Sequence, residues 1–233
     1  MQLRSILLAC LLAMGACSRQ EAATPAAPAP APASVPASAP AAAPEADAGG
    51  VLAPELAARL VRMHSPVIGP KQAPVTIVEF LDPACGACAA FSPVVKQIQL
   101  VYPNEVRVVV RYAAFHQGSD QAIRLIEAAR RQGKFEAVLD ALFERQEEWA
   151  SHQAPNIRQI GPIASSVGVD LEKARRDAAL PAITEVLRLD GEDIVALKVE
   201  RTPTFFVNGK PLVEFGPEQL LELVRQEVAR SKG

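Results

Sequence analysis

Two seven-residue runs dominate the apolar pattern of the chain, Val75–Leu81 (VTIVEFL) and Val106–Tyr112 (VRVVVRY). Both are β-branched and nearly continuous rather than alternating, as in strands covered on both faces. Between them Phe91, Val94, Val95, Ile98 and Val101 recur at i, i+3, i+4, i+7 and i+10, one face of a helix. Strand, helix, strand predicts a parallel pair joined by a right-handed crossover. Asp82 and Pro83 end the first strand, and Pro93 should kink the helix or end its first segment. Upstream, residues 54–63 read as a short amphipathic helix with Leu56, Leu60 and Met63 on one side. An edge strand over 65–68 and a Gly69-Pro70 turn follow.

From Ser119 the period becomes helical throughout. Helices are predicted over 119–131 (Ser119 as cap, Gly133 closing it), 134–149, 155–167, 170–178 and 181–197. A hairpin is expected next, with strands at 204–208 and 211–214 around an Asn208-Gly209 turn. An amphipathic helix over 217–230 closes the pattern, and no internal repeat is evident.

The N-terminus carries an address rather than a fold. Arg4 precedes an apolar run over 6–16 that is too short to span a bilayer and fits a secretory signal peptide, residues 1–16. Met14-Gly-Ala-Cys17 resembles a bacterial lipobox, in which Cys17 is lipidated and becomes the new N-terminus; the other reading is ordinary cleavage after Ala16. Ser18 resembles the outer-membrane-destined class. Residues 17–50 are rich in Ala and Pro without apolar periodicity, which suits either a semi-rigid tether or an unselected linker. The folded domain is therefore expected over 51–233.

This changes the cysteine count. Of four cysteines, Cys10 leaves with the signal and Cys17 is assigned to the lipid, so only Cys85 and Cys88 remain as thiols. They stand where a strand hands over to a helix. Unpaired N–H groups and the positive end of the helix dipole favour an anion there, which for cysteine is the reactive thiolate. Cys88, one turn on, is near enough to close a short disulfide and release a bound partner. The competing reading is half of a zinc site, but only His64, His116 and His152 are available as further ligands, none at pair spacing. Copper delivery would need methionine- or histidine-rich help that is absent.

Val-Thr-Ile-Val-Glu-Phe followed by Cys-x-x-Cys resembles the thioredoxin superfamily, in particular its DsbA-like periplasmic branch. A second motif, Arg201-Thr-Pro-Thr-Phe-Phe-Val-Asn-Gly209, stands in the right order far downstream. The resemblance implies an α/β thioredoxin fold, a central mixed sheet flanked by helices, with its halves at about 64–116 and 198–233 and an α-helical insertion at about 117–197. It implies a cis proline at Pro203 against the active-site pair, with Thr202 beside it shaping the substrate groove. It also implies a buried acid at Glu79 beneath the site, a proton acceptor for Cys88 through water; the other reading of Glu79 is an edge-facing acid. No metal or organic cofactor is implied.

Gly86-Ala87 offers the thiolate neither charge nor side-chain hydrogen bond, so stabilisation by backbone and dipole is expected. That leans toward a reductase or isomerase rather than a strong oxidant. Alternatives are a DsbA-like disulfide donor, or a lipoprotein that uses the same fold for binding or metal delivery. A net charge of −2 and the lack of a basic aromatic cluster speak against nucleic acid. The expected partners are protein thiols and disulfides and a membrane redox protein, with the bilayer reached only through the lipid of a monomer. His116, Trp149 and the charged run 144–148 read as a loop residue, a packing residue and a solvated helical face.

Overall fold

Residues 50–151 and 154–233 are described by the structure, a computed structural model; the signal peptide, Cys17 and most of the Ala/Pro segment lie outside them. Five strands form one sheet: β1 (Val67–Ile68), β2 (Val75–Leu81), β3 (Val106–Tyr112), β4 (Thr204–Val207) and β5 (Lys210–Pro211). Their order is β1-β3-β2-β4-β5. β2 and β3 run parallel in register from Val75 opposite Val106 to Leu81 opposite Tyr112, and every other pairing is antiparallel. This is the thioredoxin fold, a mixed sheet flanked by helices.

The helices are α1 (Pro54–Ala57), α2 (Gly86–Val101), α3 (Ser119–Arg130), α4 (Phe135–Glu144), α5 (Gln146–Trp149), α6 (Ile160–Ser166), α7 (Leu171–Ala178), α8 (Pro181–Ala196) and α9 (Pro217–Ser231). Because side chains alternate along a strand, Val75, Ile77 and Leu81 join the main core with α2, α9 and the insertion helices. Val78 and Phe80 join a second core with Leu52, Leu60, Leu197 and Val199.

The second face is also held by charge. Arg111 in β3 is fully buried and donates to Asp190 and Asp193 of α8, both at 2.7 Å, and lies over the Phe80 ring. Arg59 and Arg62 reach Asp193, and His64 reaches Asp190. Buried carboxylates and guanidinium satisfy one another, so breaking one member strands the rest.

That network explains one departure from the sequence pattern. Arg62 and His64 turn inward, which points Met63 between them fully into solvent, and the predicted helix over 54–63 shrinks to α1. The single helix predicted over 134–149 is two. The Trp149 indole N–H takes the Leu142 carbonyl, which an unbroken helix would give to the N–H of residue 146. Arg145, at φ −110°, is the break. The helix over 155–167 reduces to a 3-10 turn, Ile157–Gln159, and α6, since Asn156 is not helical. The edge strand over 65–68 keeps only Val67–Ile68.

The Asn208-Gly209 turn has both residues at positive φ, the geometry a tight hairpin needs. β5 stops at Pro211, which has no N–H to extend the ladder. α2 runs through Pro93 as one helix. Ser119 does not cap α3; Gly118, at φ 85°, precedes it, and the Ser119 hydroxyl turns to Asp82.

Candidate functional site

The turn after β2 is built on Asp82. Its carboxylate is fully buried and accepts from the Ala84 N–H at 2.8 Å and from the Ser119 hydroxyl. It also accepts from the Phe115 N–H at 2.8 Å and the His116 N–H at 2.9 Å, with His116 Nδ1 at 2.8 Å. The ends of β2 and β3 and the starts of α2 and α3 meet at this one side chain. In the sequence Asp82 read only as a strand breaker, and His116 as a loop residue; the pattern has no signal for partners more than thirty positions away.

Asp82 delivers the chain to Cys85, the residue before α2, in extended conformation. Cys85 Sγ lies 3.3 Å from the Thr202 carbonyl, and the Thr202–Pro203 peptide is cis. Cys88 is wholly buried in the first turn of α2, and its sulfur accepts from the Asp82 N–H at 3.4 Å. Both cysteines are free thiols.

Their acidities diverge. A hydrogen bond from the Cys88 thiol, then one from the Thr202 side chain, then the N–H groups of Cys88 and Ala87 outweigh burial and bring Cys85 from 9.0 to about 5. The same bond to Cys85, together with burial and the charge of Glu79, pushes Cys88 far above the ordinary thiol range. The pair therefore loses its first proton from Cys85. Backbone N–H groups thus act on the thiolate as expected, and the Cys88 thiol and Thr202 act with them.

Glu79 stands in β2 with its neighbours Val78 and Phe80 facing the second core, and it is 5% exposed. Burial first, then the Cys85 charge, raises it from 4.5 to about 8. No side-chain hydrogen bond reaches it from the described residues; its carboxyl borders a cavity of about 40 Å³ between the sheet, α2 and α4, with Ser92, Lys96 and Asp140 in the wall. The cavity wall is mostly apolar, and its volume suffices for a water held by the polar side chains on it.

Beyond the thiols α2 carries one ring of an aromatic cluster. Phe91 of α2 packs on Phe205 at 5.4 Å and on Phe215 at 4.7 Å between centroids; Phe215, half exposed, has Arg201 over its ring. From the insertion comes Gln146, whose Nε2 donates to the carbonyls of Pro83, at 2.8 Å, and Cys85, at 3.1 Å. Trp149 is fully buried, a packing residue as expected. Among the described residues no group of three His, Cys, Asp or Glu side chains converges on a metal position, and no helix is long and apolar enough to cross a membrane. Cys17 lies outside the described residues.

A family model described as thioredoxin matches residues 62–226, most of the chain. The chain belongs to the thioredoxin family. Among solved structures, this thioredoxin-family chain is similar to a thioredoxin-like oxidoreductase from Silicibacter pomeroyi DSS-3 at 30% identity and TM-score 0.62, covering 73% of this chain and 94% of that one. Oxidised BdbD from Bacillus subtilis aligns at 25% identity and TM-score 0.64, covering 71% and 94%. Its curated relatives include a protein named Na(+)/H(+) antiporter NhaA from Herminiimonas arsenicoxydans, 35% identical over 62% of this chain but only 22% of that protein. The chain thus spans about a quarter of the length of the curated relatives it matches.

Proposed function

We propose that the protein is a cell-envelope thiol–disulfide oxidoreductase acting on protein substrates through Cys85 and Cys88. The observation that carries this reading is the placing of the pair: Cys85 at the head of α2, its sulfur 3.3 Å from the Thr202 carbonyl beside Pro203, with Cys88 wholly buried one turn on. The Cys85 thiolate attacks a substrate disulfide, forming a mixed disulfide and expelling one substrate thiolate. Cys88 then gives up its proton, with Glu79 as the acceptor through water. Its sulfur attacks Cys85, the second substrate thiolate leaves, and the substrate has gained two electrons. Run in reverse, the same steps donate a disulfide. Thr202 meets the sulfur through its carbonyl, which accepts from the Cys85 thiol at 3.3 Å. The chain beside Pro203 is where an extended substrate backbone would lie.

Acidity supports a working range. A lower thiol pKa stabilises the dithiol and makes the disulfide more oxidising. At about 5, Cys85 falls between thioredoxin at about 7 and DsbA at about 3.5. The expected potential is therefore between about −270 and about −120 mV, less reducing than Gly86-Ala87 alone suggests. Equilibration with graded glutathione buffers, followed by thiol alkylation, measures it. A value outside that interval would overturn this account of the thiolate. A Cys85→Ser variant that keeps its cellular role would instead favour a binding protein.

The lipobox-like Cys17 supports attachment to the envelope, in the periplasm and in the outer membrane by its Ser18. The relatives named as antiporters, in which the matched part is about a quarter of the chain, independently favour work beside a membrane and a membrane protein as redox partner or client.

A further inference from the structure

The run Glu144-Arg-Gln-Glu-Glu148 has the composition of a solvated helical face, yet its middle residue turns inward. The helix breaks at Arg145, and α5 begins with Gln146 directly above the Cys-Gly-Ala-Cys turn. Both amide protons of Gln146 are used, on the Pro83 and Cys85 carbonyls. Its Oε1 lies near Gly86, where an added Cβ would meet it at 3.8 Å. The break that aims this side chain is itself fixed from below by the fully buried Trp149 through its bond to Leu142.

We infer that Gln146 is a positioning residue of the exchange site, through which the helical insertion tunes the Cys85 thiolate. This rests on the proposed redox role. The Cys85 carbonyl accepts from Gln146 and also from the Ala89 N–H, the first hydrogen bond of α2. Gln146 therefore helps fix the peptide plane on which the helix starts, and with it the backbone N–H groups at the head of α2 beside Cys85. A donor on the Cys85 carbonyl also polarises that peptide and strengthens the Gly86 N–H of the same unit. Asp82 anchors the turn from the core side, and Gln146 from the outer side. Without the outer anchor, the Pro83 carbonyl loses this donor and the Cys85 carbonyl keeps only the Ala89 N–H, so the turn that aims the donors at the head of α2 is less firmly held.

The test compares Gln146→Met, which keeps length and removes both donors, with Gln146→Glu, which keeps shape and sets an anion against two carbonyls. In each, the Cys85 titration is followed by thiolate absorbance, and the dithiol–disulfide equilibrium by glutathione. Loss of the donor on the Cys85 carbonyl predicts a shift of about threefold to tenfold toward the disulfide form for Met, the scale of a single hydrogen bond. Its Cys85 pKa should rise correspondingly, and Glu should move both further in the same direction. A role in folding alone would lower the melting temperature of both redox forms equally and leave titration and equilibrium at wild-type values; that result overturns the inference, as does a shift in the opposite direction. If the wild-type chain does not exchange with glutathione at all, the redox reading itself fails, and the two failures are told apart.

Discussion

At the level of single residues, the site drives neighbouring ionisable groups in opposite directions. Hydrogen bonds bring Cys85 down to about 5, while burial lifts Glu79 to about 8. Glu79 is thus mostly protonated at neutral pH, and at that poise it exchanges a proton readily. Its cost follows from its sign. The fold retains a proton that the unfolded chain releases, so this contribution is fully present below about pH 4.5 and is lost as pH rises through about 8. A Glu79→Gln variant stays neutral and escapes the loss. The reduced variant should match wild type near pH 4.5 and exceed it by roughly 3 kcal/mol at pH 7, at about 1.4 kcal/mol per pH unit. Urea unfolding at the two pH values measures this, and equal differences at both would refute the shift. Removing the acid should also slow resolution of the mixed disulfide on the order of a hundredfold, with the first attack on substrate unchanged, as quenched-flow alkylation would resolve.

Among elements, Asp82 is the joint. Five donors converge on it from the starts of α2 and α3 and the end of β3. In Asp82→Asn one oxygen becomes a donor facing donors, which should cost about 3 kcal/mol, the scale of a broken buried charged group. Thermal unfolding of the reduced protein tests it; a loss below about 1 kcal/mol would mean that water or a side-chain rotation replaces the joint. The same contrast explains what was legible in the sequence. β2 and β3 were readable because covered strands write themselves as continuous β-branched runs, and the Cys85 site because a strand-to-helix handover is local. The Asn208-Gly209 hairpin was readable for the same reason. The joint at Asp82, the buried Arg111 cluster and the break at Arg145 were not. Each is settled by a partner outside the local pattern: Ser119 for Asp82, Asp190 and Asp193 for Arg111, and the Trp149 indole for a carbonyl seven residues back. Periodicity carries no record of such partners. The inward turn of Gln146 follows from that break and was hidden with it.

Across the whole domain, the two ends of the sheet have different work. Leu52 donates to the Gly209 carbonyl, and Asn208 to the Thr76 carbonyl at the start of β2. Cys85 lies beyond the other end of β2, about 20 Å away along seven residues. Whatever precedes Gly50 therefore joins the domain at the pole opposite the thiols. If Cys17 is the point of attachment, as its lipobox-like setting proposes, residues 19–49 set how far the thiols can reach from it, at most about 110 Å of extended chain. Deleting 19–49 should leave the glutathione equilibrium and turnover of a soluble peptide disulfide unchanged. Turnover of the same peptide carried on a lipid in the same vesicle should fall at least about tenfold, the loss in effective concentration expected when a linker no longer spans its two sites. Parallel rates on the two peptides decide it. An unchanged rate on the lipid-borne peptide would show that the domain turns freely at its attachment, and that segment 19–49 serves something other than reach.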